Sequence, residues 1–126
     1  MRVEHELAVT AEAAAEARHA LDGLSTGLPD GRVRDIRLLV SELVTNAVRH
    51  AELAQGDIIR LVVDLADDTV RVEVHDPGTG FVPRKPEPDP ARPSGWGLYL
   101  VAELADRWGV DSHEKTLVWF ELDRTG

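Results

Sequence analysis

The sequence predicts an α+β domain, a two-layer α/β sandwich in which three main helices cover one face of a mostly antiparallel mixed sheet. Apolar residues recur at helical spacing over residues 30–53. Two β-branched, partly alternating runs follow, joined by the turn residues Asp67 and Asp68. A third helical stretch then leads into two short β-branched runs. With 126 residues, the chain is long enough for one domain with one hydrophobic core but not for two.

The first part of the chain predicts one strand and two helices. Val3–Val9 is a candidate strand, and Thr10 is placed to cap a helix over Ala11–Leu24, a segment rich in Ala, Glu and Arg. A longer helix is predicted over Asp30–Leu53. The predicted apolar face of this helix consists of Val33, Ile36, Val40, Leu43, Val44 and Ala47.

The rest of the chain predicts two hairpins that flank a loop and a helix. The first hairpin joins Ile58–Leu65 to Thr69–His75. The segment Pro83–Ser94 contains five prolines, a density that neither a helix nor a sheet interior tolerates. The third helix is predicted over Gly95–Arg107, with one face formed by Leu98, Val101, Ala102 and Ala105. The closing hairpin is predicted to join Val110–His113 and Leu117–Leu122.

Composition excludes several classes of function. The net charge of −9 argues against non-specific binding to nucleic acid or anionic membranes, which requires an excess of Lys and Arg. The absence of cysteine removes disulfides, thiolate zinc sites and a cysteine nucleophile. No apolar run approaches the ~20 residues that a membrane span needs. Because Met1 leads into a charged segment rather than a signal peptide, we expect a cytoplasmic protein.

A polar stripe runs along the second predicted helix. Glu42, Asn46 and His50 are four residues apart and lie at the edge of the apolar face. Asn46 is either a half-buried, hydrogen-bonded amide or a ligand that offers its side-chain oxygen to Mg²⁺. Glu42, one turn earlier, is then placed to orient or deprotonate a nucleophile near bound phosphates. We interpret His50 as structural.

Two glycine-containing segments complete the set of candidate motifs. Asp76 ends a strand and is followed by Gly78 and Gly80, so its carboxylate is placed to accept a hydrogen bond from the amine of adenine. The alternative is an Asp-Pro-Gly turn that needs no ligand. Gly95 and Gly97 lie where a loop enters the third helix, and free N–H groups at such a position attract phosphate. The alternative there is an ordinary Ser-capped turn.

In order and spacing, the segments Ser41–Ala47, Asp76–Gly80 and Ser94–Leu98 resemble the N, G1 and G2 boxes of the Bergerat-fold (GHKL) ATPases. Within that group the chain is most similar to the small anti-sigma-factor serine/threonine kinases, which have a histidine-kinase-like ATPase domain. The resemblance covers nearly the whole chain. It implies a single domain over residues 1–126 that binds ATP or ADP with Mg²⁺ between the second helix, the Asp76 strand and an ATP lid over residues 83–94.

The resemblance also assigns roles to the motif residues. Glu42 matches the glutamate taken as general base, Asn46 matches the magnesium ligand, and Asp76 matches the aspartate that reads the adenine amine. The remaining matches lie beneath the base or meet the phosphates, and they are Gly78, Gly80, Gly95, Gly97 and Leu98.

Weaker matches lie outside the three motifs. Thr116 resembles a threonine often found near adenine. Ala17-Arg18 resembles an Ala-Arg pair with which family members touch protein partners, and a solvated arginine is the alternative. The cations of the lid are Arg84, Lys85 and Arg92, and the sequence does not distinguish which of them reaches the γ-phosphate.

The implied function is a kinase that transfers the γ-phosphoryl group of ATP to a Ser or Thr of an anti-anti-sigma partner and also holds a sigma factor inactive. One alternative is an ATP-binding regulatory module that sequesters a protein without phosphate transfer. Glu42 favours the kinase, because a pure binder has no need of a base there. A second alternative is a nucleotide-free scaffold whose motifs are turns and caps. Dimers are usual in this family, which leaves a homodimer open, and no direct contact with nucleic acid is expected.

Overall fold

The computed structural model describes residues 2–22, 28–50, 57–77, 96–111 and 115–124, with the backbone alone at 49, 50 and 96–98. The strands are β1 (Arg2–Ala8), β2 (Ile58–Leu65), β3 (Thr69–Asp76), β4 (Arg107–Asp111) and β5 (Thr116–Asp123). The helices are α1 (Ala13–Ala20), α2 (Asp30–His50) and α3 (Trp96–Leu104). The predicted lid at 83–94 and the predicted end of the second helix at Leu53 lie outside the described residues.

The five strands form one sheet in the order β1-β2-β3-β5-β4. Both predicted hairpins are confirmed, since β2 pairs with β3 and β4 pairs with β5. The turn at Asp67 and Asp68 is closed by a 2.9 Å hydrogen bond from the Ala66 N–H to the Thr69 carbonyl. The α+β class is confirmed, and all pairings among the described strands are antiparallel.

The alternation of residues along the strands separates two faces of the sheet. In β3, Val70, Val72 and Val74 are buried, whereas the intervening side chains are only half-buried. The valine face belongs to a hydrophobic core shared with all three helices. The buried residues of α2 are Ile36, Leu39, Val40, Leu43, Val44 and Ala47. The predicted face of this helix is therefore correct except that Val33 is half-buried and that Leu39, which is fully buried, was missed.

The prediction for the start of α1 is wrong. The N-cap is Glu12, without a side-chain capping bond, rather than Thr10. The Thr10 hydroxyl accepts a hydrogen bond from the Glu12 N–H, and its carbonyl accepts one from the Ala13 N–H, both at 3.2 Å. Because these bonds close a tight turn of the kind Thr favours, the helix begins only at Ala13. The predicted end at Leu24 lies outside the described residues.

The junction between α3 and β4 also differs from the prediction. The Asp106 N–H donates to the Glu121 carbonyl of β5 at 2.9 Å, so the chain has already entered the sheet where a helix was predicted to continue. Consequently α3 ends at Leu104, and β4 begins at Arg107 rather than Val110. Ala102, predicted on the apolar face of α3, is exposed, although Val101 is fully buried.

Candidate functional site

Two polar residues are buried together where β3 ends and β5 begins. Asp76 is the last residue of β3, Thr116 is the first residue of β5, and the two are direct partners in the strand register. Their exposed fractions are 7% and 2%, and no other polar or charged residue of the described part is buried. Since Asp76 alternates with the buried valines of β3, it points to the face that carries the helices. Both residues have interaction partners in the structure. The strand pairing thus creates one buried polar pair at an end of the sheet.

The helix α2 brings its predicted site residues toward the same end. Ile36 of α2 and Val70 of β3 line one cavity, near the start of both elements. From there Asn46 lies ~15 Å further along α2 at 1.5 Å per residue. Asp76 lies ~20 Å further along β3 at 3.3 Å per residue. Because α2 packs on β3, the polar ends of the two elements come to one end of the sandwich. Glu42 and Asn46 are both half-buried there, one turn apart.

The helix α3 begins at the same end. It leads directly into β4, whose first residue, Arg107, pairs with Glu121, far along β5 from Thr116. The opposite end of α3, at Trp96, is therefore directed toward Thr116 and Asp76, and α3 also contacts α2. Gly97 lies in the first turn, where backbone N–H groups have no partner within the helix.

The structure does not test every predicted position. Gly78, Gly80 and Gly95 lie outside the described residues, and for Leu98 only the backbone position in α3 is described. Within the described ranges, no group of three or more His, Asp and Glu side chains could hold a metal ion.

Arg18 contacts the helix that carries Glu42. One N–H of its guanidinium donates to the Ser41 hydroxyl at 3.0 Å, and that hydroxyl donates to the Arg37 carbonyl at 2.8 Å. Asp22, one turn beyond Arg18 and just past the end of α1, forms an ion pair with the guanidinium of Arg37, which lies one turn before Ser41 in α2. The two contacts run up α1 and down α2, so the helices pack in an antiparallel manner. Arg18 is exposed, yet it is hydrogen-bonded to Ser41, the residue that precedes Glu42.

The sheet face opposite the helices carries an ion-pair network that our prediction from the sequence missed. Arg71 of β3 contacts Glu73 at 2.8 Å and Glu121 of β5 at 3.2 Å, and Arg107 of β4 contacts Glu121 at 2.8 Å. The network continues from Glu73 to His75 at 2.8 Å. Charged residues at every second position of β3 were the available signal, but only the strand order brings the partners together. The network links three adjacent strands.

The carboxylates of this network have perturbed pKa values. Burial raises the pKa of Glu73, but hydrogen bonds from Arg71 and His75 outweigh burial and hold that pKa below its usual value. The hydrogen bond from Arg107 lowers the pKa of Glu121; burial opposes this, and Arg71 adds to the lowering. Hydrogen bonds to Asp123 and Glu121 raise the pKa of Arg107. Both glutamates are therefore charged near neutral pH.

An antiparallel sheet covered on one face by helices, with a polar site between α2, α3 and the ends of β3 and β5, defines the class of protein. It is a two-layer sandwich with a polar site between its layers. Residues 7–122 match the family described as histidine kinase-like ATPase domain. The chain belongs to this family, and the resemblance drawn from the three motifs is confirmed.

Several similar proteins have functional names. An anti-sigma F factor of Pasteuria penetrans is 33% identical over 122 residues, covering 88% of this chain and 81% of the relative. A serine-protein kinase RsbW of Bacillus licheniformis is 33% identical over 111 residues, covering 75% and 69%. A serine-protein kinase RsbW of Staphylococcus epidermidis is 29% identical over 119 residues, covering 82% and 75%.

Within the described ranges, no helix is long and apolar enough to cross a membrane.

Proposed function

We propose that this chain is an ATP-dependent serine/threonine kinase of the anti-sigma type, which phosphorylates an anti-anti-sigma protein and binds a sigma factor. The observation that carries the proposal is the convergence of Glu42 and Asn46 on α2 with the buried pair Asp76 and Thr116. The relatives named anti-sigma F factor and serine-protein kinase support it. Since ATP is the substrate, the cytoplasm is the proposed location.

The buried pair at the sheet end is the proposed adenine site. The Asp76 carboxylate accepts a hydrogen bond from the amine of adenine, and the Thr116 hydroxyl can donate or accept at the same edge of the base. Guanine presents a carbonyl in place of that amine. A carboxylate opposite a carbonyl leaves two acceptors face to face, and burial makes such a mismatch costly. The pair therefore favours adenine nucleotides.

The triphosphate extends from this site toward α2 and the first turn of α3. Backbone N–H groups near Gly97 are available to phosphate oxygens, aided by the positive end of the helix dipole. The half-buried amide oxygen of Asn46 suits Mg²⁺, which prefers oxygen ligands and completes its shell with water and phosphate. Bound there, Mg²⁺ would neutralise phosphate charge. The other proposed nucleotide contacts are Gly78, Gly80, Gly95 and Leu98.

Glu42 is the proposed general base for the transfer step. The hydroxyl oxygen of a Ser or Thr on the partner forms a bond to the γ-phosphorus, and the bond from that phosphorus to the β,γ-bridging oxygen breaks. The hydroxyl proton passes to the Glu42 carboxylate, and ADP leaves with the bridging oxygen. One helical turn separates this carboxylate from Asn46, so the base lies beside the phosphates without being needed for adenine recognition.

The test combines ATP titration with a phosphotransfer time course on purified anti-anti-sigma proteins from the same organism. We expect Glu42→Gln to retain ATP affinity and partner binding but to lose about 10²–10⁴-fold in transfer, the usual contribution of a positioned base. Asn46→Ala should also lose the Mg²⁺-dependent part of ATP affinity. Glu103→Gln, an exposed glutamate of α3, is the matched control and should transfer normally. If the wild-type chain binds ATP and partner but transfers no phosphate, the non-catalytic ATP-binding module replaces the kinase.

A further inference from the structure

Asp106 lies at the junction between α3 and β4 and connects three parts of the domain. Its side-chain atom Oδ2 accepts a hydrogen bond from the Asp123 N–H of β5 at 2.7 Å. The same oxygen lies 4.0 Å from Nη1 of Arg32, in the first turn of α2. The Asp106 N–H donates to the Glu121 carbonyl of β5 at 2.9 Å. One residue thus connects the end of α3 to the sheet and to the start of α2.

This junction lies at the end of the sandwich opposite the proposed nucleotide site. Asp123 is the last residue of β5 and Thr116 is the first, ~23 Å away at 3.3 Å per residue. The helix α2 begins near the junction and runs toward the site, whereas α3 begins at the site and runs back to the junction. The two helices beside the proposed site are therefore connected at their far ends through Asp106.

The position of the first turn of α3 depends on how the far end of the helix is held. Because α3 has nine residues, it is ~14 Å long, and a tilt of about 5° about its far end moves the first turn by ~1 Å. N–H···O hydrogen bonds span only about 2.7–3.2 Å, so such a shift is enough to break contacts with phosphate oxygens. Leu104 and Ala105 pack against the core at the far end, but apolar packing has no direction. The polar contacts of Asp106 supply the directional constraint.

The two side-chain contacts of Asp106 differ in strength. The bond from the Asp123 N–H is short and charge-assisted. The pair with Arg32 is long, and the side chains of Arg32 and Asp106 are 20% and 35% exposed, so solvent screens this pair and its contribution is smaller. Asparagine at position 106 keeps an acceptor for the N–H but loses the charge, whereas alanine loses both contacts. The backbone bond to Glu121 is available to both variants.

We propose that Asp106 is a positioning residue for the phosphates of the bound nucleotide. It fixes the far end of α3, so that the backbone N–H groups near Gly97 meet the phosphate oxygens, and it does not itself touch the nucleotide. The proposed adenine contacts Asp76 and Thr116 belong to β3 and β5, so recognition of the base does not depend on the tilt of α3. The inference rests on the proposed nucleotide site and adds to it the residue that positions its phosphate-binding turn.

The test compares the affinities for ADP and adenosine, which differ only in the diphosphate. The ratio of the adenosine Kd to the ADP Kd, measured with Mg²⁺ by competition calorimetry, reports the contribution of the phosphates. Asp106→Ala should reduce this ratio at least about 5-fold, as for the loss of one hydrogen bond, with the adenosine Kd within about 2-fold of wild type. Asp106→Asn and Arg32→Gln should each give a smaller reduction. Glu103→Ala removes an exposed carboxylate from the same helix and is the matched control, which should bind both ligands as wild type does.

Urea unfolding and far-UV circular dichroism identify the variants that fold. If Asp106→Ala does not fold, Asp106→Asn and Arg32→Gln decide, because both keep an acceptor for the Asp123 N–H. Unchanged ratios in the folded variants would overturn the positioning role. An equal loss of affinity for ADP and adenosine would also overturn it, because a general loosening of the domain gives that result. A wild type that binds no ADP would overturn the nucleotide site and the role of Asp106 together, whereas one that binds ADP but transfers no phosphate would overturn the kinase alone.

Discussion

Replacement of Asp76 by Asn tests the adenine site with a change of one atom. The substitution keeps the shape of the side chain but turns one carboxylate oxygen into an NH₂ group. In the proposed complex, that group meets the exocyclic amine of adenine, so two donors face each other.

The burial of Asp76 determines the size of the effect. At 7% exposure, and paired across the strands with Thr116 at 2%, Asp76 has little access to water that could satisfy a mismatched group. A buried hydrogen-bonding group left without a partner costs about 1–3 kcal/mol. At about 1.4 kcal/mol per factor of ten, this corresponds to about a 5- to 140-fold increase in the Kd for ATP.

Calorimetric titration with two nucleotides distinguishes recognition from structural damage. Inosine triphosphate carries a carbonyl where ATP carries the amine, so wild type should prefer ATP and Asp76→Asn should lose or reverse that preference. Asp67→Asn, in the exposed turn at the other end of β3, is the control and should bind as wild type does. Equal weakening of both nucleotides by Asp76→Asn would refute the reasoning, because it would show that Asp76 supports the fold rather than reads the base.

Three further predictions concern catalysis and the sheet. Glu42→Ala should leave the Kd for ATP within about 3-fold of wild type while single-turnover transfer falls about 10²-fold or more; an equal loss in both would make Glu42 a binding residue. Gly109→Ala should lower the free energy of unfolding, measured by urea denaturation, by about 1–3 kcal/mol, because the new Cβ would lie 2.7–2.8 Å from the Trp119 indole. Gly31→Ala is the control and should be neutral or stabilising, because the space around its Cβ is open. Because the pKa of Glu73 is lowered, the charged carboxylate contributes stability at pH values above its ordinary pKa of 4.5, and this contribution is lost as the pH falls through the folded-state pKa. The Tm of Glu73→Gln should therefore fall less than the Tm of wild type on acidification. Parallel Tm–pH curves for the two proteins would contradict this prediction.

The sequence predicted the elements whose periodicity is strong and local. The apolar face of α2 followed from spacing, and the alternating valines of β3 located both the strand and its end at Asp76. The start of α1 was wrong because of a local turn at Thr10, whereas the end of α3 was wrong because a tertiary contact overrides local preference. The strand was predicted to begin at Val110, but Gly109 already belongs to β4, and the indole of Trp119 occupies the space where a side chain at Gly109 would project. Such a contact between strands leaves no local signal.

The candidate site was predictable as a set of residues but not as an arrangement. The motifs supplied Glu42, Asn46 and Asp76 separately, and the family resemblance supplied Thr116. In the sequence, 39 residues lie between Asp76 and Thr116. Only the strand order shows that these two residues pair directly across adjacent strands. The bond from Arg18 to Ser41 is similarly non-local, since it depends on the antiparallel packing of two helices.

The charged face of β3 carries contacts that depend on the same strand register as the position of Asp76 on the opposite face. A slip of one residue between β3 and β5 would turn Asp76 away from the helices and separate it from Thr116. Such a slip would also move Arg71 away from Glu121, and it would disturb the stacking of Arg71 on Trp119, whose ring centre is 4.3 Å from the guanidinium carbon. These contacts join β3, β5 and β4 at defined positions, so a shifted register would lose them. We therefore infer that this network holds the proposed adenine site in register, although its side chains lie on the opposite face of the sheet.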